Sequence, residues 1–168
     1  MANNDVIILN QVLEQKKQEL APQLPESRFF ELFVAEQVLK DYDLSYDEIE
    51  SGLVGAGGDG GIDSFHTFVN GELVYDDTEL SNIKKDVRID VVIGQAKTSA
   101  GFSESAPQKF REAAEDLFDL STDIDKLRGQ YNEEVIECAA RFRQAYEQLA
   151  ASFPKLSFRF VYATKGAE

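Results

Sequence analysis

Cysteine occurs once in this chain, as Cys138, so no intrachain disulfide can form and a zinc site built from clustered thiolates is excluded. That scarcity fits a reducing, cytoplasmic setting. The amino end has no basic flank, and its apolar run at residues 6–9 is four residues long, too short for a signal peptide. No stretch approaches the roughly 20 apolar residues that span a bilayer, so no membrane association is expected. Tryptophan is absent, yet twelve Phe and six Tyr within a 43% apolar chain are incompatible with disorder, which is poor in large apolar side chains. One folded domain over residues 1–168 is the expectation, because that length can bury a core without disulfides or structural metal.

Basic residues are also scarce. Seventeen Lys and Arg face 31 Asp and Glu, for a formal charge of −14, which opposes any phosphate-binding role because such binding is driven by Lys and Arg releasing counterions. Residues 104–137 hold ten of the acidic and four of the basic side chains, so part of the excess is confined to one stretch that can face away from a substrate. A more basic partner region is expected. The chain stops directly after a predicted strand, and it is read as the amino-terminal part of a longer protein whose carboxyl-terminal domain is a partner.

The apolar spacing predicts a helix from Asn4 to Leu20, closed by Pro22 and Pro25, and a second, Phe-rich helix from Pro25 to Tyr42. Ser45 with Glu48 forms a capping-box pattern for a short third helix toward Gly52. After the glycines of residues 55–61, the stretch 62–69 reads as a strand, and Asn70-Gly71 turns it into a second strand at 72–75. Residues 88–98 form a longer strand whose apolar run marks it as central. Helices at 106–120 and 131–153 and a last strand at 156–163 complete an α/β chain with a mixed sheet and helices on both faces.

Chemistry concentrates on this scaffold. Asp63 opens the first strand, while Gln95 and Lys97 lie two apart on the third, and alternation along a strand points them the same way. A carboxylate, an amide oxygen and an ammonium are what metal-assisted phosphodiester hydrolysis needs: hard oxygen ligands for a divalent ion, and a cation for the attacking water and developing charge. Asp63 and Gln95 are the candidate ligands for Mg2+ or Mn2+, and Glu31 on the second helix can complete the shell. Magnesium suits so sparse a set, since it keeps several waters.

Glu31, the phrase GDGGID ending at Asp63, a hairpin, and QAK ending at Lys97 resemble the PD-(D/E)XK nucleases of the Mrr type, in which Gln often replaces the middle carboxylate. GGDGGID with VNGELV at 69–74 and IGQAKTSAGFSE at 93–104 is similar to the abortive-infection phage-resistance (AIPR) family, over roughly residues 27–165. The resemblance implies a restriction-endonuclease-like αβββαβ core preceded by an extra helix, divalent-metal dependence, cleavage of nucleic acid with DNA favoured over RNA, and a role in bacterial phage defence. It makes Asp63, Gln95 and Lys97 the catalytic set. Homodimerisation is compatible with it. The helix glutamate stays open between Glu31 and Glu36, which are five residues and about 140° apart, so both cannot face one site.

Other signals read as structural. Residues 55–60 satisfy G-x-G-x-x-G, but the dinucleotide fingerprint follows a strand and opens a helix, the reverse of the order here. Asp59 is read as a turn residue, with metal binding as the alternative. His66 lies an odd three positions from Asp63, on the other face of the strand, and Cys138 reads as a small core residue. A nuclease fold without catalysis, serving as a binding or assembly module, is the competing function.

Overall fold

A computed structural model of the chain describes residues 2–55, 61–98 and 105–165. Three helices precede the first strand: α1 (Ala2–Leu20), α2 (Glu26–Val38) and α3 (Tyr46–Glu50). The capping box of α3 is formed as the sequence suggests, with Ser45 accepting from the Glu48 N–H and Glu48 accepting from the Ser45 N–H. Strands β1 (Ser64–Val69), β2 (Glu72–Leu73) and β3 (Arg88–Lys97) follow, then α4 (Ala106–Leu117), α5 (Glu133–Leu149) and β4 (Lys155–Thr164).

The four strands form one mixed sheet in the order β2-β1-β3-β4. β1 runs antiparallel to β2 and β3, whereas β4 lies parallel to β3. Its interior place explains the composition of β3: residues 89–95 are all buried, as a strand covered on both faces requires. On one face Phe65, Ile89, Val91 and Ile93 pack with Phe110, Leu117, Val135, Ile136 and Phe142 from α4 and α5. On the other, Leu39, Phe68 and Val92 form a small cluster beside the packing of Leu13, Phe29, Phe30 and Leu32 from α1 and α2. Each such buried side chain contributes about 1.5–3 kcal/mol of transfer free energy, so both layers hold the sheet. Among the described residues no helix is long and apolar enough to cross a membrane.

Several elements are shorter than the periodicity predicts, each for a local reason. The second helix ends at Val38 and tightens into a 3-10 turn at Lys40–Tyr42, where Tyr42 stacks on Phe68 with ring centroids 3.8 Å apart. β2 stops at Leu73 because the Tyr75 N–H turns to the Thr78 hydroxyl, 2.7 Å away. α5 begins at Glu133, since the Asn132 side chain caps it by accepting from the Val135 N–H at 2.9 Å. α4 ends at Leu117, and the buried Arg143 of α5 donates to the carbonyls of Asp116, Leu117, Asp119 and Thr122. That one guanidinium satisfies carbonyls that a helix end leaves without partners.

Candidate active site

The antiparallel ladder between β1 and β3 breaks at the end where the candidate residues lie. Ser64 still pairs with Gly94, but the Asp63 N–H also donates to the Gly94 carbonyl, at 2.8 Å. The Ala96 N–H donates to Asp63 Oδ2, again at 2.8 Å. Ala96 is the residue between Gln95 and Lys97, so this bond fixes the carboxylate within one residue of each. Ala96 packs toward α1 and α2, which leaves Gln95 and Lys97 facing the α4 and α5 layer, as strand alternation demands.

Gln95 is 5% exposed, and its Oε1 is buried without a hydrogen-bond partner. An amide oxygen left so costs about 1–3 kcal/mol, and groups of this kind mark places where water or an ion belongs. Lys97 lies at the rim, exposed, and among the described residues its ammonium enters no ion pair.

Glu31 reaches the same end of the sheet from the opposite layer. A Cβ on Gly55 would lie 2.6 and 2.9 Å from the Glu31 carboxylate oxygens, so a larger residue there would have to push this carboxylate aside. Arg28 donates to Glu31 at 3.3 Å and to the Leu53 carbonyl at 3.4 Å. Leu53 in turn bridges to Ser64, and the Val54 N–H donates to the Asp63 carbonyl at 2.9 Å. The segment carrying Gly55 therefore runs beside Asp63. Glu36 is about 7.5 Å further along the axis of α2, and of the two glutamates Glu31 is the one beside Gly55. Among the described residues no three His, Cys, Asp or Glu side chains converge as a metal-holding group, so Glu31 is near the pair without completing a three-acid shell.

No protein-family model, curated protein or solved structure matches this chain.

Lys109 and Asn132 neighbour the candidate site without a sequence signal for it. Gly61, at φ +84°, sits against Gln95: a Cβ there would lie 3.5 Å from both amide atoms of Gln95 and 3.5 Å from Lys109 Cδ. Lys109 belongs to the first turn of α4 and is exposed, and only the packing of that helix over the sheet end brings it here. Asn132 donates to the Val54 carbonyl at 2.8 Å and so ties the start of α5 to the segment beside Asp63. Its place before Glu133 and Glu134 is a helix-start pattern, but nothing in the sequence indicates which carbonyl it would hold.

The residues read as structural behave so where they are described. His66 is buried, and its Nε2–H donates to the Ile49 carbonyl at 2.8 Å. Burial pushes its imidazole from 6.5 down to about 4, which keeps it neutral. Cys138 is buried and its thiol is pushed up to about 12 by burial, so it is not a reactive thiolate. Gly55 follows a helix and Gly61 leads into β1, opposite to a dinucleotide-binding turn. Asp59 lies outside the described residues.

Proposed function

We propose that this chain is a divalent-metal-dependent nuclease of the restriction-endonuclease-like kind, acting on DNA in preference to RNA and serving phage defence. The observation that carries the reading is the pairing of a clamped carboxylate, Asp63, with the buried, unpartnered oxygen of Gln95, two residues from Lys97, which enters no ion pair among the described residues. Asp63 and Gln95 fit a hard divalent ion that keeps most of its shell as water, and Glu31 can join through one such water. When bound, Mg2+ or Mn2+ would neutralise phosphate charge and acidify a water. The backbone N–H of Ala96 holds the Asp63 carboxylate in one orientation, Gln95 presents a neutral oxygen, and Lys97 orients the attacking water and stabilises charge on the phosphoryl oxygens. The Phe-rich packing of α2 and the glycine at residue 55 let Glu31 approach without a clash.

The test is cleavage of plasmid and RNA across Mg2+ and Mn2+ concentrations, with circular dichroism to confirm folding. Asp63→Ala and Lys97→Ala should each abolish cleavage. Gln95→Glu adds an anionic ligand and should preserve or raise activity with tighter metal binding, while Gln95→Ala should weaken metal affinity. Parental cleavage by both alanine variants would remove the assigned site. The absence of a three-acid group among the described residues and the −14 charge support one alternative, a silent nuclease fold used for assembly; metal-dependent cleavage by the parent refutes it.

A further inference from the structure

We propose that Lys109 is a second phosphate-binding cation of this site, reaching the substrate from α4 while Lys97 reaches it from the sheet. The proposal rests on the nuclease reading and adds where the phosphodiester lies. Lys109 Cδ and the Gln95 amide both lie 3.5 Å from the same point, the place of a Cβ on Gly61, so they are within about 7 Å of each other. Two more bonds carry the ammonium beyond Cδ, enough to reach a phosphate oxygen beside Gln95. The Gln95 oxygen is buried and unpartnered, an acceptor at this corner with capacity for a donor or a cation. Lys109 enters no ion pair among the described residues in a chain with 31 carboxylates. Its helix has no acidic residue in its first turn, and the positive end of the helix dipole adds to the ammonium. A phosphodiester seated between Lys97 and Lys109 would meet two cations, with the Gln95 oxygen left for the divalent ion.

The experiment uses the chain with Ca2+, which is expected to support binding without cleavage, and a fluorescent duplex and single strand of the same sequence. Lys109→Met keeps the apolar stem and removes the charge; Lys109→Arg restores it. For Lys109→Met we expect several-fold weaker binding on all sequences. The slope of log K against log salt should become shallower by about 0.9 on duplex or about 0.7 on single strands, and the cleavage rate with Mg2+ should fall at least tenfold. Metal affinity and the circular dichroism spectrum should not change, and Lys109→Arg should recover most of the loss. Parental binding, slope and cleavage by Lys109→Met would overturn the assignment while leaving the nuclease reading standing if Asp63→Ala is dead. Loss in Lys109→Met without recovery in Lys109→Arg, or with lowered metal affinity, would mean a structural role and also overturns it. No binding at low salt and no cleavage by the parent would sink both.

Discussion

Acidification from pH 7.5 to pH 5 should cost this fold about 2 kcal/mol, and His66 alone should account for it. The imidazole is buried, donates to the Ile49 carbonyl at 2.8 Å, and leaves its Nδ1 buried without a partner. Burial lowers its folded value from 6.5 to about 4. Between those values the unfolded chain binds a proton that the folded chain refuses, so stability rises with pH there, by up to about 1.4 kcal/mol per unit. It is complete above the unfolded value and declines as pH falls toward the folded one. Integrated down to pH 5, the loss is about 2 kcal/mol. The chain has one histidine, and ordinary carboxylates titrate near 4, so the window from pH 5.2 to 7 isolates this group. Urea denaturation at fixed ionic strength measures it. His66→Gln keeps a donor for the Ile49 carbonyl without a titrating ring, and its stability should be nearly flat across that window. An equal slope in parent and variant, or a parent flat from pH 5.2 to 7, would show that burial of His66 does not depress its basicity.

Other perturbations follow from the same contacts. Gly52→Ala would set a Cβ 2.4 Å from His66 Nε2 and should cost about 1–3 kcal/mol in urea denaturation through overpacking and a displaced hydrogen bond; a loss under 0.5 kcal/mol would mean the ring yields freely. Arg143→Met keeps length but strands four carbonyls, and a loss of about 3 kcal/mol or more is expected by the same assay. Nucleic-acid binding by residues 1–168 alone should be weak at physiological salt, because the −14 charge repels phosphate; submicromolar, salt-insensitive binding would contradict this.

The element order was legible because each element carries its own local code. The Ser45/Glu48 box, the Asn70-Gly71 turn and the continuous apolar run of β3 all appear in the structure where the residues announce them. Side-chain alternation correctly set Gln95 and Lys97 on one face and His66 away from them. Ends were misjudged where tertiary contacts outweigh periodicity: Tyr42 is drawn onto Phe68, and Arg143 closes α4 three residues early. Proximity at the candidate site was legible only for residues on adjacent strands. Ladder register brings Asp63 to Ala96, but nothing local to Lys109 indicates that α4 will lean its first turn over Gly61 and Gln95. The contact of Glu31 with Gly55 likewise depends on two layers meeting at one sheet end.

The −14 charge of the whole chain and the few charges beside Gln95 act over different distances. Among the described residues Arg28 pairs with Glu31, Gln95 carries no charge, and Lys97 and Lys109 enter no ion pair. At physiological salt, exposed charges are screened beyond roughly 8 Å, so on the proposed nuclease reading most of the −14 would oppose the encounter with a nucleic acid and little of it would reach a phosphate seated beside Gln95. On that reading, a Gln rather than a carboxylate beside Asp63 belongs to this balance: it would forfeit a strong metal ligand and spare the phosphate a second negative neighbour. On the proposed nuclease reading that trade favours substrate over metal, so Gln95→Glu should tighten the metal and preserve or raise turnover at saturating nucleic acid while raising the KM.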